Sequence, residues 1–408
     1  MGDTALKVAL LTRQITHYHH PRFVASAQVL QRLDVISVAN EGKFSQVLAK
    51  TLPDGYRVHR MYETLQDYCA AVKQRSLAAK IEKTLETITP DVVAISGWAS
   101  PESYVALRWA RRRGKGVIVM SDSRAEDAPR NAVRDWIKGR VVCACDAGLA
   151  AGESHKGYLM ALGLPEGAIR LGYDVVDNAH FQDFEFASEA AALAARANLG
   201  LPTSYILASS RFIKKKNLKT LIKAYEHACD GINNPPDLLI AGDGTERAEL
   251  ELLAKNVNSG KVHLPGLFAY KDLPALYALS SGFVHIPTSE QWGLVVSEAA
   301  ASGLPLLVSK ECGAAPELVK PSLNGWLVSA HDMDDIAKSL KSMMTLSKEE
   351  RRQMGQASQS IVADWGPDRF ASGLAETAAM AKTSGKSLSV LDRALIAIMS
   401  RMVVEVVA

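Results

Sequence analysis

Two glutamates, Glu290 and Glu298, stand with seven residues between them in the run SEQWGLVVSEAAASG. Glu290 follows the apolar segment 282–287, which has the composition of a buried strand. Glu298 lies about one turn into a helix that is predicted to begin near Gly293. The two carboxylates are therefore expected to flank the start of one helix.

The start of this helix has the chemistry of an anion site. The backbone N–H groups of Gly293, Leu294 and Val295 would lack acceptors within the helix. Free N–H groups and the positive end of the helix dipole favour a phosphate. Two flanking carboxylates suit a ligand with phosphate in the middle and hydroxyls at both ends, such as a nucleotide-sugar. The alternative is a solvent-facing acidic helix start that binds nothing.

Length and composition restrict the class of protein. A chain of 408 residues is too long for one ordinary hydrophobic core, so two domains are expected. The composition is 48% hydrophobic and 22% charged, which is typical of globular proteins. The net charge of +3, with 47 Lys and Arg against 44 Asp and Glu, argues against a nucleic-acid-binding protein.

Cysteine usage and hydropathy predict the compartment. The five cysteines are scattered and odd in number, which indicates reduced thiols rather than a disulfide framework. The first apolar run, 8–11, is too short for a signal peptide, and no uninterrupted apolar run has membrane-spanning length. We therefore expect a cytoplasmic protein, and peripheral contact with the inner membrane face stays open.

In the first half, short apolar segments alternate with longer stretches of helical periodicity. Continuous apolar strands separated by helices are typical of a parallel sheet covered on both faces. Ligands of such sheets bind at the carboxyl ends of the strands, so the loops after the strands form the candidate site. The predicted strands of this half are 7–12, 34–39, 91–96, 116–121 and 148–151.

The loop after the first strand, RQITHYHHPRF, carries His17 and His19 among its three histidines. It lacks the G-x-G-x-x-G pattern of a dinucleotide-binding domain, which argues against a dehydrogenase. A metal site is one alternative, but no carboxylate or cysteine accompanies the histidines. We favour a polar loop that faces the acceptor substrate, without a metal.

Two further loops lie at the same predicted edge of the sheet. Trp98 follows the third strand, and Asp122, Ser123 and Arg124 follow the fourth. These side chains could bind hydroxyls or phosphate, and we assign them with the two histidines to the acceptor side. The alternative is a set of local salt bridges with a helix cap from Ser121 or Asp122.

The second half repeats the pattern of strands and helices. The segment Gly200-Leu-Pro202 punctuates an Ala- and Glu-rich stretch, so we place the domain boundary there. The predicted strands of this half are 205–209, 237–241, 262–264, 282–287 and 305–309.

Cations and glycines follow the first strands of this half. Arg211 lies at the end of the strand 205–209, and Lys216 precedes a helix that Asn217 could cap. The guanidinium group of Arg can donate two hydrogen bonds to phosphate oxygens in bidentate fashion, and the ammonium group of Lys offers a compact positive charge. Gly242 and Gly244 allow a close turn at the same edge. We expect these residues and Glu290 to line one donor site.

This half resembles the nucleotide-binding domain of the retaining GT-B glycosyltransferases of glycosyltransferase family 4. The family pattern is an Arg with a Lys five residues on, a Gly-Asp-Gly turn, and a Glu-seven-Glu run that contains Gly-Leu. All three occur in this order between about residues 204 and 365. The first half matches in architecture and in its closing segment, 173–181.

The resemblance implies an α/β protein of GT-B fold, with two doubly wound Rossmann-like domains facing a cleft. Residues 1–182 would form the acceptor-binding domain, with a helix at 366–385 packing back on it. Residues 203–365 would form the donor-binding domain, and 386–408 an amphipathic tail.

The resemblance also implies a role for each matched position. Arg211 and Lys216 would hold the donor diphosphate in place of a metal. Glu298 would bind the ribose hydroxyls and Glu290 the transferred sugar, and the N–H groups of 293–295 would bind the distal phosphate. Arg211, Lys216 and Glu290 would then be the catalytic residues.

The activity implied is hexose transfer from a UDP- or GDP-sugar to a hydroxyl acceptor, with retained configuration and without a metal or other cofactor. The acceptor would be a glycan, a lipid-linked sugar or a small molecule in polysaccharide, glycolipid or other glycoconjugate synthesis. A non-catalytic nucleotide-sugar-binding protein and a GT-B epimerase of nucleotide-sugars remain alternatives.

Two positions depart from the family pattern. The family usually has Gly where this chain has Asn217, and a side-chain cap would make Asn tolerable there. The first loop has Gln14-Ile15 and histidines where the family often has a Gly pair, which leaves the acceptor side less well matched.

The last segment of the chain has helical spacing. Leu391, Leu395 and Ile398 form its predicted apolar side, with Asp392 and Arg393 on the polar side. Such a helix would pack on the core or on a dimer mate. The alternative is an interfacial membrane helix, although this sequence lacks a basic face of its own.

Overall fold

Parallel strands flanked by helices build each half of the chain. The computed structural model describes residues 6–39, 55–182, 184 and 186–400. The chain divides into a first unit, Met1–Val175 with Pro367–Ala408, and a second unit, Val176–Gly366. Both units are α/β and Rossmann-like, so the predicted fold class is confirmed.

The first unit contains a parallel sheet in the order β3-β2-β1-β4-β5-β6-β7. Its strands are β1 (Lys7–Thr12), β2 (Arg32–Ala39), β3 (Arg57–Tyr62), β4 (Val92–Ser96), β5 (Gly116–Ser121), β6 (Ala147–Ala150) and β7 (Ile169–Leu171). The helices that connect them are α1 (His19–Val29), α2 (Leu65–Lys73), α3 (Leu77–Ile88), α4 (Pro101–Arg112), α5 (Ala132–Cys143) and α6 (Glu153–Ala161).

Continuous apolar sequence explains the central strands. Every residue of β5, GVIVMS, is buried, because helices cover both faces of a doubly wound parallel sheet. The edge strand β3 differs: its sequence RVHRMY is polar and mostly accessible. That polarity is why the apolar pattern did not predict β3.

The second unit contains a parallel sheet in the order β10-β9-β8-β11-β12-β13. Its strands are β8 (Tyr205–Ser209), β9 (Asp237–Ala241), β10 (Val262–Gly266), β11 (Phe283–His285), β12 (Leu306–Ser309) and β13 (Gly325–Val328). Its helices are α7 (Asn178–Gln182), α8 (Glu189–Asn198), α9 (Leu218–Cys229), α10 (Arg247–Lys255), α11 (Leu273–Ala278), α12 (Leu294–Ala301), α13 (Ala315–Leu318), α14 (Met333–Met344) and α15 (Lys348–Val362).

The boundary between the units lies at Val175/Val176, ahead of the predicted boundary near residues 200–202. The Ala- and Glu-rich stretch that suggested a linker forms α8. Arg196 of this helix donates to the carbonyl of Leu279 (3.4 Å) and lies 5.8 Å from the ring centroid of Tyr205. These contacts attach α8 to the second unit.

Two helices complete the first unit after the second unit has ended: α16 (Pro367–Thr383) and α17 (Val390–Met399). Phe370 and Leu374 of α16 are buried in one core cluster with Leu10 of β1. A Cβ at Gly116 would lie 2.6 Å from the carbonyl oxygen of Ala381, so glycine lets α16 pack directly on β5. This helix is the one expected to return to the first domain.

The last helix, α17, packs with a different face from the one predicted. Ile396 is only 1% exposed and joins the core, whereas Leu391 (53%) and Ile398 (61%) of the predicted apolar side are accessible. Asp392, placed on the polar side, pairs with Arg140 of α5 (2.6 Å). The buried side of the helix is therefore the one that carries Ile396, and the ion pair adds a contact with α5. The predicted tail residues 401–408 lie outside the described residues.

In the part of the chain that the structure describes, none of the helices combines the length and the apolar composition that a membrane span needs. None of the five cysteines, all of which lie in the described part of the chain, forms a disulfide, as their scattered positions predicted.

Candidate functional site

The candidate donor site lies where the strand order of the second sheet reverses. β8 and β11 are neighbours in the sheet, with Leu207 opposite Phe283, although two strands, β9 and β10, separate them in sequence. At such a reversal the loops after the two strands diverge and leave room for a ligand. The loops remain tied, because the N–H of Thr288 donates to the carbonyl of Lys215 (2.8 Å).

An ion pair joins these two loops. The ammonium group of Lys216, after β8, donates to Oε2 of Glu290, after β11. Their side chains are only 10% and 13% exposed. Burial lowers the pKa of Lys216, and the carboxylate of Glu290 opposes that shift. The structure thus brings together two of the three residues predicted to be catalytic.

A buried histidine, which carried no sequence signal, lies beside this ion pair. Nε2 of His285, in β11, lies 3.6 Å from Oε2 of Glu290, and its side chain is 3% exposed. Burial lowers the pKa of His285. Although burial alone would raise the pKa of Glu290, His285 and Lys216 hold it well below its usual range. His285 was overlooked because it lies inside an apolar strand sequence, GFVHIP.

The start of α12 has the geometry predicted for an anion site. Gly293 precedes the helix with φ +101°, and a Cβ there would lie 2.9 Å from Sγ of Cys312. Among the described residues, the N–H groups of Leu294 and Val295 donate no backbone hydrogen bond. Glycine therefore allows a turn that aims free donors beside Glu290.

Glu298 lies one turn further along α12 and is 1% exposed. The hydroxyl of Tyr277, in α11, donates to its Oε2 at 2.6 Å. Tyr277 is itself fully buried and packs edge-on against Phe181. Neither aromatic residue carried a sequence signal, because the contacts of Tyr277 with Glu298 and with Phe181 depend on how the helices pack.

Arg211 differs from Lys216 in its surroundings. Its side chain is exposed, and within the described ranges it takes part in none of the hydrogen bonds or ion pairs. A Cβ at Gly244 would lie 2.5 Å from the carbonyl oxygen of Phe212, and one at Gly242 would overlap that of Ser210. The two glycines thus let the loop after β9 support the loop that carries Arg211.

Asn217 does not cap α9 as predicted. It adopts a left-handed conformation with φ 59°, and its side chain donates to the carbonyl of Ala330 (2.8 Å) instead of to the helix. Asn is one of the few residues that tolerate this conformation, which otherwise favours Gly. The left-handed backbone, rather than a cap, explains why Asn can replace Gly at this position.

The histidines after β1 are held by local contacts. Thr16 Oγ1 lies 2.9 Å from Nδ1 of His19, and Nδ1 of His20 lies 2.9 Å from the hydroxyl of Tyr56. Burial, with Arg22 and His17, lowers the pKa of His19 to about 3. Across the described residues, none of the groups of His, Cys, Asp and Glu side chains could hold a metal ion.

Asp122, after β5, lies in a charged cluster. Arg22 of α1 donates to the carbonyl of Val175 (2.7 Å) and pairs with Asp174 (3.4 Å). Burial and the neighbouring carboxylate of Asp174 raise the pKa of Asp122 to about 7. A carboxyl group that titrates near neutral pH is typical of functional sites. The sequence analysis named Asp122 as an acceptor-side residue but did not identify its neighbours Asp174 and Arg22.

The other predicted acceptor-side residues have structural contacts. Arg124 pairs with Asp127 (3.1 Å), as in the alternative of local salt bridges. The N–H of Ser123 donates to Oγ of Ser121 (3.1 Å), but the short helix that follows begins at Ala125, so this hydrogen bond is not the predicted helix cap. Trp98 is 8% exposed and packs edge-on against Tyr158, with ring centroids 6.0 Å apart. The acceptor role of these residues stays a prediction.

Residues 194–360 match the model of the family described as Glycosyl transferases group 1. Over 157 residues the chain is 32% identical to the probable sucrose-phosphate synthase 2 of Craterostigma plantagineum. That match covers 34% of this chain and 14% of the relative, so the chain corresponds to only a small part of it. The residues that match the family model, 194–360, lie within the second unit and include Lys216, Glu290 and Glu298.

Solved structures extend the likeness to the first unit. The Anabaena protein Alr3699/HepE, in complex with UDP and glucose, is 18% identical, with a TM-score of 0.71 over 91% of this chain and 99% of that one. A glycosyltransferase of Rickettsia africae ESF-5 is 14% identical, with a TM-score of 0.72 over 94% and 100%. At these identities the likeness shows the fold, which is GT-B.

The raised pKa of Asp122 predicts a pH dependence of stability. Its folded pKa, about 7, exceeds the ordinary value of 3.8, so the folded state favours the protonated form. The stability that this preference contributes is complete below about pH 4 and lost as pH rises through 7. The free energy of unfolding, measured in urea, should fall less between pH 5 and pH 8 in Asp122→Asn than in the parent. Glu126→Gln, at an exposed carboxylate of the same loop, should behave as the parent; an unchanged loss in Asp122→Asn would contradict the assignment.

Proposed function

We propose that the protein is a retaining glycosyltransferase that moves a sugar from a nucleotide-diphosphate-sugar to a hydroxyl acceptor. The observation that carries the proposal is the buried pair of Lys216 and Glu290 beside the free N–H groups at the start of α12. Cation, carboxylate and helix start together match the alternating charges and hydroxyls of such a donor.

Lys216 and Arg211 are proposed to bind the donor diphosphate. When the bond between the sugar's anomeric carbon and the diphosphate oxygen breaks, negative charge grows on that oxygen. Lys216 is already desolvated and fixed, so it would stabilise that charge without reorganisation. Arg211, exposed and without an ion pair in the described part of the chain, has all its donors available for the same phosphates.

The two glutamates are proposed to bind opposite ends of the donor. Glu290 would exchange its contact with Lys216 for the hydroxyls of the transferred sugar once the diphosphate takes the ammonium group. Glu298 would accept from the ribose hydroxyls, with the hydroxyl of Tyr277 (2.6 Å) fixing its carboxylate. An accepting carboxylate suits the proposed contact of Glu290, because its depressed pKa keeps it charged at neutral pH.

The donor that we propose is a UDP-sugar. Structures of similar fold have been solved with UDP and with UDP-glucose, and the matched curated relatives are probable sucrose-phosphate synthases. Membership of family 4 and retention of configuration belong to the same proposal. A GDP-sugar is the alternative donor. We assign the hydroxyl acceptor to the polar edge of the first unit that includes Asp122.

Replacement of Lys216 tests the diphosphate assignment. Lys216→Ala should lower kcat with a competent UDP-sugar by about 10²–10³-fold, the cost of removing one fixed donor to a developing charge. Lys215→Ala changes the adjacent, half-buried lysine, whose carbonyl rather than ammonium group holds the loop. That control should retain its turnover. Full turnover in Lys216→Ala would contradict the assignment, and UDP-sugar binding without UDP release on adding acceptors would favour a non-catalytic binding protein.

The orientation of the donor can be tested with paired carboxylate variants. Glu298→Gln should chiefly raise the Kd for UDP, because the ribose contact is made in the ground state. Glu290→Gln should chiefly lower kcat, because Glu290 is proposed to contact the sugar that is transferred. Calorimetry with UDP and single-turnover transfer assays separate the two effects. The reverse pattern would mean that the donor binds in the opposite orientation.

Lys216 and Arg211 in place of a metal predict that activity does not depend on divalent cations. Transfer from a UDP-sugar should proceed at the same rate with excess EDTA as with added Mg²⁺, because protein cations neutralise the leaving diphosphate. Loss of activity in EDTA that Mg²⁺ restores would show that the metal-free mechanism is wrong.

A further inference from the structure

The outward face of α17 is apolar and accessible. Val390 is 84% exposed, Leu391 53% and Ile398 61%, although the helix packs on α4 and buries Ile396. Isolated exposed apolar residues are ordinary, but three on one short helix form a surface. This face does not contribute to the core of the first unit.

The apolar face of α17 lies beside a cavity, as the positions of its residues around the helix show. At 100° per residue, Ile396 and Ser400 point to the core, and Arg393 and Ala397 follow on the next arc. The exposed residues Leu391 and Ile398 lie beyond that arc. Arg393 and Ala397 line a cavity of about 570 Å³ between α17, α4 and the segment 385–388. The apolar face therefore borders the cavity.

The cavity is cationic. Its lining includes Arg108, Arg111, Arg112, Lys386 and Arg393, and none of its lining residues is acidic. Arg111 is neutralised by Asp146 (2.8 Å) and Arg108 by Glu82 (2.9 Å). For Arg112, Lys386 and Arg393 the described residues provide no acidic partner within 4.0 Å. Three positive charges thus remain uncompensated around one opening.

The other side of α17 adjoins an exposed aromatic residue. Arg140 of α5 donates to Asp392 of α17, and Trp136 precedes Arg140 by one helical turn. Trp136 is 50% exposed and Val133, on the same face of α5, is 67% exposed. The apolar face of α17 is therefore flanked by a cationic cavity on one side and by accessible tryptophan and valine on the other.

We propose that this surface docks on an anionic phospholipid membrane, with α17 lying in the plane of the interface. Leu391 and Ile398 would enter the acyl boundary, and the cationic cavity would receive a lipid phosphate. The basic face that α17 lacks in its own sequence is supplied by α4 and residue 386.

Charge favours this occupant over a second copy of the chain. A symmetric dimer through this face would place each cationic cavity near its own copy, and like charges would oppose association. A free soluble phosphate would satisfy the cavity but would leave the apolar face exposed. An anionic lipid satisfies both features at once.

Vesicle co-sedimentation of the full chain tests the proposal. The protein should sediment with vesicles of phosphatidylcholine and phosphatidylglycerol, less so as salt is raised, and not with phosphatidylcholine alone. The double variant Leu391→Glu with Ile398→Glu should bind the anionic vesicles at least about tenfold more weakly than the parent. The double variant Arg112→Glu with Arg393→Glu should show the same loss. The matched control changes two leucines of similar exposure elsewhere, Leu193→Glu with Leu252→Glu (60% and 62%), and should bind as the parent.

Several outcomes would overturn the proposal. Equal binding to neutral vesicles would exclude the assigned role of the cationic cavity, and full binding by the Leu391/Ile398 variant would exclude the assigned apolar face. Glycerol 3-phosphate binding that this variant retains, without vesicle binding by the parent, would identify a soluble anion as the ligand. A parent dimer that the same variant dissociates, in analytical ultracentrifugation, would identify a second copy as the partner. Because the substituted side chains are exposed, melting temperatures should stay unchanged and transferase assays with soluble substrates should be unaffected.

Discussion

The burial of two opposite charges at a strand-order reversal is the constraint on which the second unit depends. Lys216 and Glu290 come from different loops, and neither could be buried alone without a large desolvation cost. Each loop must therefore be held in register with the other. The hydrogen bond from Thr288 to Lys215 and the glycines that support the loop after β8 provide that registration. This ion pair keeps the buried ammonium group of Lys216 in place.

The sequence predicted the elements of this site that depend on local pattern. Arg211, Lys216 and Glu290 each follow an apolar segment that forms a strand, and parallel strands end at a common edge. The sequence also placed the start of a helix near Gly293, and the structure adds that its backbone has φ +101°, a conformation that favours glycine. The boundaries of β1, β5, β8 and β9 are those expected, because continuous apolar runs bounded by polar residues are an unambiguous pattern.

The sequence could not predict what depends on packing between elements. His285 reads as part of a strand, and only the fold brings its ring to Glu290. Tyr277 bonds Glu298 because α11 packs beside α12, and no spacing in the chain encodes that distance. The predicted orientation of α17 was wrong for a related reason: its periodicity identified an apolar side, but the structure packs the side that carries Ile396 against the core.

The placement of α16 has a consequence for the order in which the chain folds during synthesis. The core of the first unit includes Phe370 and Leu374, which the ribosome adds only after the whole of the second unit. The second unit is continuous in sequence, so it can complete its core while the first sheet still exposes the surface that α16 will cover. The first unit is thus begun first but finished last, and during that interval its uncovered apolar face is exposed to aggregation and open to chaperones.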